Sequence, residues 1–115
     1  MHEENCIFCK IIRGELPSQK VHEDEETLAF HDINPIAPVH VLVVPKRHIA
    51  SVLELTETDA PLIGRIHRTI QRVAKELGVD ESGFRVVTNT GAHGQQTVFH
   101  LHYHVIGGRQ LTWTM

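Results

Sequence analysis

The strongest constraint on folding comes from residues 58–77, where apolar residues recur every three or four positions. This spacing draws one broad apolar stripe along a helix. Thr58 can cap the start of the helix, Pro61 fits its first turn, and Gly78 supplies the left-handed residue that commonly ends a helix. The stretch therefore predicts one long amphipathic helix.

Short strand-like runs lie on both sides of this helix. Residues 20–24 and 27–33 predict a hairpin with an acidic turn, and residues 39–45 are almost continuously apolar or β-branched, as in a central strand buried on both faces. After the helix, residues 83–89 and residues 97–106 alternate as two further strands. A short helix is predicted at residues 5–13, before the first strand.

The order of these elements is helix, strands, long helix and strands. It favours an antiparallel α+β domain over alternating βαβ units. A chain of 115 residues is too short for two ordinary domains but long enough to bury one core without disulfides. We therefore expect a single domain spanning residues 1–115.

The charge of the chain argues against several kinds of partner. A formal net charge of −3 provides no basic field for nucleic acid or an anionic membrane. No window approaches the roughly 18 apolar residues of a membrane span, and the first ten residues lack the pattern of a secretory signal. We expect a cytoplasmic protein that binds neither nucleic acid nor membrane.

Three of the ten histidines occupy alternate positions in "VFHLHYHVIGG", from Val98 to Gly108. On a strand, His100, His102 and His104 would share one face at steps of about 6.7 Å, with the intervening residues facing the core. Such a row is compatible with a solvent face, a metal site or nucleophilic catalysis on phosphorus.

The segment before this row helps to choose between these readings. Residues 89–97, "NTGAHGQQT", offer small residues, backbone N–H groups and polar side chains suited to an anionic phosphate. No carboxylate lies between Glu81 and Met115, where a metal hydrolase would usually have one. Phosphate chemistry carried out by imidazole and amide groups is therefore favoured.

The only two cysteines, Cys6 and Cys9, have the spacing of a metal knuckle or a redox pair. A tetrahedral zinc site would need two further ligands. Redox use is less favoured, because no thioredoxin-like βαβ pattern follows.

Together these stretches resemble the histidine triad superfamily of nucleotide hydrolases and transferases. The matching segments are "CIFCKIIRGELPS", "AFHDINPIAPVHVLVVPKRHI" and "VFHLHYHVIGGRQLTW", which cover about Cys6 to Trp113 in family order. The ending is similar to the Hint branch, the purine nucleoside phosphoramidases, in a bacterial type with an N-terminal Cys-x-x-Cys. The resemblance implies a five-stranded antiparallel sheet with one long and one short helix. It also implies a homodimer, in which the long helix and a central strand pair across a two-fold axis to form a continuous ten-stranded sheet.

The resemblance also implies catalytic roles. His102 would attack the α-phosphorus of a purine nucleoside 5′-phosphoramidate, giving a covalent nucleotidyl-histidine and then AMP or GMP. His104 and His40 would bond the phosphoryl oxygens or the leaving group, His100 would orient His102, and Thr97 would donate to the bridging or leaving atom. No catalytic cofactor is implied.

Further positions are carried over as binding residues. Asp32 would accept both ribose hydroxyls, Asn89 and Gln96 would lie at the phosphate, and Trp113 would reach the partner's active site. Gln95 stands where the Hint branch usually has a second glycine. The purine would lie in an apolar slot of Ile7, Phe8, Ile11, Phe30 and Ile33. A structural zinc ion would be held by Cys6, Cys9, His48 and His100.

Two alternative functions remain open at this point. One is hydrolysis of dinucleoside polyphosphates. The other is a zinc-stabilised nucleotide-binding or scaffold protein with little turnover. The remaining histidines receive no role: His2, His22, His31, His67 and His93.

Overall fold

The computed structural model describes residues 5–113, which form one five-stranded antiparallel sheet with helices packed on both faces. The strands are β1 (Lys20–Glu23), β2 (Thr27–His31), β3 (Val39–Pro45), β4 (Phe84–Val87) and β5 (Tyr103–Gly107), in the spatial order β1-β2-β3-β5-β4. The helices are α1 (Ile7–Ile12) and α2 (Ala60–Glu76). The predicted α+β fold class is confirmed. His2 lies outside the described residues.

The sheet separates two apolar clusters. On one face, α2 packs its buried residues, such as Ile66 and Ile70, against Val41 and Val43 of β3. On the other face, α1 packs Phe8 and Ile11 against a second cluster that includes residues of β2 and β3. Strand β3 lies in the centre and is buried on both faces, which confirms the prediction from its nearly continuous apolar run. Neither described helix is long and apolar enough to cross a membrane.

The beginning of the long helix differs from the prediction. Helix α2 begins at Ala60, after a 3₁₀ turn at Glu57–Asp59, and Thr58 does not cap it. Instead, the Asp59 carboxylate accepts the backbone N–H of Thr56 at 2.9 Å, so the local hydrogen bonds favour the 3₁₀ turn. The predicted end is confirmed, because Gly78 follows the helix with a φ of +73°.

The histidine strand is shorter than predicted. Strand β5 begins at Tyr103, and residues 97–102 form no ladder. Tyr103 pairs with Val43 of β3, so two residues earlier the ladder would have to pair with Pro45, which has no backbone N–H to donate. The alternation of faces nevertheless holds, since Leu101, Tyr103 and Val105 are buried in the α2 cluster.

Candidate active site

A cleft of about 850 Å³ lies on the α1 side of the sheet. One wall is α1, another is the end of β2 with the turn that follows it, and the remainder comes from residues 17–19, Leu42 and residues 97–104. The cleft brings together most of the predicted site: Ile7, Phe8, Ile11, Phe30, Asp32, Ile33, Thr97, His102 and His104. Segments far apart in sequence therefore meet at one cavity of nucleotide size.

The ring of His102 is held in one orientation. It is only 6% exposed, and its Nδ1 lies 2.7 Å from the backbone carbonyl oxygen of His100. A carbonyl oxygen can only accept, so Nδ1 carries the hydrogen and neutral His102 has a lone pair on Nε2. Phe8 packs edge-on against the ring at 5.0 Å. Burial lowers the pKa of His102, which favours this neutral form.

The strand beside His102 fixes its backbone as well. The hydroxyl of Thr88, just beyond β4, donates to the carbonyl oxygen of His102 at 2.9 Å. This bond satisfies a carbonyl that lies just before the start of β5. Sequence reasoning did not single out Thr88.

His40 and His104 form a second ordered pair. The backbone N–H of Ile36 donates to Nδ1 of His40 at 3.2 Å, so neutral His40 carries its hydrogen on Nε2. That nitrogen donates to Nδ1 of His104 at 2.9 Å and lies 3.4 Å from Oδ2 of Asp32. The neutral His104 ring then carries its own hydrogen on Nε2.

The charge state of His104 supports this arrangement. Burial lowers the pKa of His104 to about 4, with a further contribution from His102 and His40 and an opposing one from Asp32. Close imidazoles disfavour a second positive charge, so His104 is neutral at pH 7. It therefore offers an N–H donor without carrying a charge.

His100 has a different environment from its two neighbours in the row. Its side chain is 0% exposed and does not line the cleft. Its Nε2 donates to the carbonyl oxygen of Pro45 at 2.8 Å, which leaves a lone pair on Nδ1. That lone pair lies 3.2 Å from Sγ of Cys6 and 3.5 Å from Sγ of Cys9.

These atoms belong to a cluster of four possible metal ligands: Cys6, Cys9, His48 and His100. Their ligand atoms all lie within 4.8 Å of one another, and Nδ1 of His48 is 3.3 Å from Sγ of Cys9 and 3.2 Å from Nδ1 of His100. Two thiols and two imidazoles are a common zinc ligand set, and separations near 3.3 Å are those of atoms sharing one tetrahedral ion. Burial raises the pKa of the Cys6 thiol, because a buried thiolate is poorly solvated. A bound cation would stabilise the thiolate and so offset this effect. The residues fit a zinc ion.

A second group of possible ligands is Asp32, His40 and His104, whose ligand atoms also lie within 4.8 Å of one another. Here, however, the hydrogen bond from His40 to His104 already occupies the space between the two rings. Asp32, His40 and His104 therefore form a hydrogen-bonded network.

Three predicted binding residues do not line the cleft: Asn89, Gln96 and Trp113. The buried side chain of Gln96 accepts the Gly91 N–H at 3.0 Å and donates to the Ala50 carbonyl oxygen at 2.7 Å. The Asn89 amide donates to the Gly94 carbonyl oxygen at 2.7 Å. Both side chains thus hold the loop itself and do not face the cavity.

Trp113 is 91% exposed, and the guanidinium of Arg85 lies 5.6 Å above its ring.

Gln95, in the same loop as Gln96, has a φ of +61°, a conformation that favours glycine. This explains physically why a glycine suits that position.

Several lining residues were missed: Pro17, Ser18, Gln19, His31, Asn34, Leu42 and Val98. The register could have revealed Leu42, which pairs with Phe30 and therefore shares its face. His31, to which no role had been assigned, also lines the cleft, as the last residue of β2. His67, also without a role, contacts the Tyr103 ring at 6.4 Å on the opposite face.

Comparison with known proteins gives consistent matches along the chain. A family model described as "Scavenger mRNA decapping enzyme C-term binding" matches residues 5–113. An uncharacterised HIT-like protein of Synechococcus elongatus is 50% identical over 110 residues, which are 96% of this chain and 96% of that protein. Protein HitA of Neisseria gonorrhoeae is 45% identical over 104 residues, 90% of this chain and 96% of that protein.

Solved structures match as well. A HIT family hydrolase from Clostridium thermocellum is 51% identical, with a TM-score of 0.96 and 99% of each chain covered. A histidine triad protein from Clostridium difficile is 48% identical, with a TM-score of 0.96 and 100% of each chain covered. Fold and sequence are thus shared with these proteins along almost the whole chain.

Proposed function

The chain belongs to the histidine triad family, and from that premise we propose that it hydrolyses purine nucleoside 5′-phosphoramidates. In this reaction the P–N bond breaks and AMP or GMP is released. The observation that carries the proposal is the hydrogen bond from Nδ1 of His102 to the His100 carbonyl oxygen. It leaves Nε2 of His102 unprotonated beside a cleft large enough for a nucleotide.

In the first step, Nε2 of His102 attacks the α-phosphorus and the P–N bond to the leaving amine breaks. Imidazole needs no prior deprotonation for this attack, and the departing nitrogen takes up a proton from solvent, which the attacking water of the second step returns. In the second step, water attacks the same phosphorus, the bond from phosphorus to Nε2 breaks, and the nucleoside monophosphate leaves. One difficult displacement is thereby divided into two easier ones.

His104, His40 and Thr97 would serve the charge that develops at phosphorus. The tautomers described above give His104 an Nε2–H donor, with His40 behind it as the group that fixes its orientation. Thr97 lines the cleft and adds a hydroxyl for the bridging or leaving atom. Donors already in position stabilise such a transition state without reorganising.

The nucleoside would bind between α1 and the end of β2. One oxygen of Asp32 accepts the Asn34 N–H at 2.8 Å, and the remaining lone pairs of the carboxylate can accept two ribose hydroxyls. The purine would lie between the apolar side chains of the slot, which includes Phe8 and Phe30 in edge-on contact at 5.6 Å.

The Cys6, Cys9, His48 and His100 cluster would hold zinc. The metal would supply a structural link from the start of α1 to the sheet side of the molecule and would take no part in the chemistry. Since α1 forms a wall of the cleft, this link would also support the nucleoside slot. Through His100, it would steady the backbone that orients His102.

We also propose a homodimer, joined at β4. The expected pairing through a central strand is wrong for this sheet, because β3 already has a strand on each side; two sheets merge through edge strands, which here are β1 and β4. Strand β4 exposes Phe84 and Val86 by 36% and 39%, whereas no described residue of β1 is an exposed large hydrophobic. Pairing β4 with its copy across a two-fold axis would give ten continuous strands. Light scattering on the purified protein should give twice the mass of one chain.

The activity is tested by comparing two substrates on the same preparation: adenosine 5′-phosphoramidate and diadenosine tetraphosphate. We expect AMP release to be much faster from the phosphoramidate. Faster turnover of the diadenosine compound would instead identify a dinucleoside polyphosphate hydrolase. Binding of AMP with no turnover of either substrate would identify a nucleotide-binding protein.

A further inference from the structure

A second groove, of about 410 Å³, lies between α2 and the hairpin formed by β1 and β2. It is on the face of the sheet opposite the active-site cleft, and no residue lines both. Its lining residues are His22, Asp24, Arg65, Arg68, Thr69, Gln71, Arg72 and Lys75. The groove is therefore a separate, mainly polar feature of the molecule.

Four cations line one wall of this groove: Arg65, Arg68, Arg72 and Lys75. Their spacings of three, four and three residues place them within an arc of about 80° at about 100° per residue, over about 15 Å of helix. The buried apolar residues of α2, such as Ile66 and Ile70, point elsewhere, into the core. The cations thus form one continuous basic stripe beside the hairpin.

The opposite wall is held firmly in place. His22 pairs with Ala29 and so faces α2, and its Nε2 lies 3.3 Å from Oδ2 of Asp24. The hydroxyls of Thr27 and Thr69 are hydrogen-bonded at 2.7 Å, which ties the hairpin to the helix. The groove is therefore preformed.

The basic stripe is only partly neutralised. Arg65 lies 3.7 Å from Glu26, but among residues 5–113 no carboxylate forms an ion pair with Arg68, Arg72 or Lys75. The Asp24 carboxylate accepts the backbone N–H groups of Glu26 and Thr27 at 2.9 and 2.8 Å. Like charges three or four residues apart repel one another on a helix, so this stripe is stabilised when an anion lies against it.

We propose that this groove binds a small anion carrying several phosphate groups in a row. One arginine guanidinium group can donate two parallel hydrogen bonds to the oxygens of a phosphate, and three arginines lie along the stripe. The stripe is longer than a single phosphate, and the groove volume suits a small molecule. The chain's net charge of −3 opposes a long nucleic acid. The shared chemistry is a phosphate chain, either inorganic or the tail of a nucleoside triphosphate.

The proposal is tested by titrating the ¹⁵N-labelled protein with tripolyphosphate, and separately with ATP, at about 0.15 M salt. We expect amide shifts along residues 65–75 and in the turn at residues 24–27. The double variant Arg68→Gln/Arg72→Gln should weaken tripolyphosphate binding by at least about tenfold. The matched control Lys10→Gln/Lys20→Gln removes two positive charges outside the groove and should change binding by less than about twofold.

The two titrations also separate the sources of the ligand. Tighter binding of ATP than of tripolyphosphate at the groove amides would favour a nucleotide, and the reverse order would favour inorganic polyphosphate. Shifts confined to the active-site cleft, or equal weakening in both double variants, would overturn the proposal. Because this experiment measures binding at α2, its failure would leave the proposed phosphoramidase activity untouched.

Discussion

His100 and His102 are two residues apart, but they differ in which ring nitrogen is tied to the backbone. His100 donates from Nε2 to the Pro45 carbonyl oxygen and presents Nδ1 to two thiols. His102 donates from Nδ1 to the His100 carbonyl oxygen and leaves Nε2 for the cleft. Opposite tautomers of the same side chain thus fit one ring for holding a metal ion and the other for attacking phosphorus.

The comparison shows how a backbone assigns chemistry. Both acceptors are carbonyl oxygens close to the place where the ladder between β3 and β5 ends. Both rings lie on the α1 side of the sheet, where Phe8 packs edge-on at 6.0 Å from His100 and 5.0 Å from His102. The end of the ladder allows one ring to turn into the protein and the other to line the cavity.

The largest expected effect comes from removing the proposed nucleophile. His102→Ala should reduce turnover of adenosine 5′-phosphoramidate by about a thousandfold or more, because it removes the Nε2 lone pair proposed to attack phosphorus. Its metal content and melting temperature should match those of the wild type. Steady-state kinetics and a metal assay on the same samples measure both. Turnover within about tenfold of wild type would refute the assignment.

The reciprocal change tests the metal cluster. Cys9→Ser should abolish zinc binding and lower the melting temperature by about 10 °C or more. The variant should lose a few kcal/mol of unfolding free energy, and each kcal/mol lowers the melting temperature by several degrees. At a temperature where Cys9→Ser is folded, its turnover of the phosphoramidate should be reduced far less than that of His102→Ala. A metal assay and calorimetry check this. If Cys9→Ser keeps its metal and its stability, the cluster is not a zinc site.

Much of this contrast lies beyond what a sequence pattern can specify. The strand Val39–Pro45 could be predicted from its own residues, because an apolar run ending in a proline is a local signal. The structure confirms its bounds. The start of β5 was predicted wrongly, because it depends on a missing N–H in another strand, at Pro45. The tautomers of the histidines were likewise not predictable, since each is set by a backbone or ring contact that depends on the folded conformation, such as the Pro45 carbonyl oxygen for His100.

The loop before the histidine row shows the same limit. The polar side chains there were predicted to lie at a phosphate, but Asn89 and Gln96 form hydrogen bonds within the protein and do not line the cleft. Composition indicates that a loop is polar, whereas only the fold determines which of its groups face the cavity. Thr97, at the end of that loop, does line the cleft as predicted.

A smaller effect is expected at the proposed ribose contact. Asp32→Asn should raise KM for the phosphoramidate by about tenfold and narrow the preference for ribose over 2′-deoxyribose, because charge-assisted hydrogen bonds are weakened. Kinetics with both sugars separate this role from a general loss of the fold. An unchanged sugar preference together with a large fall in kcat would place Asp32 with the catalytic histidines instead.

The smallest expected effect is on the pH dependence of stability. His104 has a pKa of about 4 in the folded protein against an ordinary value of 6.5, so between these values the unfolded chain binds more protons. The free energy of unfolding should therefore fall as pH is lowered through this range, and the contribution of His104 should level off below about pH 4. Urea unfolding at neutral pH and at about pH 5 should show a smaller loss in His104→Asn than in the wild type. An equal loss in both proteins would contradict the lowered pKa.

The most direct test of the central claim is to trap the intermediate. Wild-type protein mixed with a phosphoramidate labelled at the α-phosphorus, then quenched within one turnover, should carry acid-labile label on His102 by peptide mass spectrometry. Cys9→Ser, folded at low temperature, should carry the same label, and His102→Ala should carry none. Label on His100 or His104, or equal label in wild type and His102→Ala, would contradict the division of roles between the two tautomers.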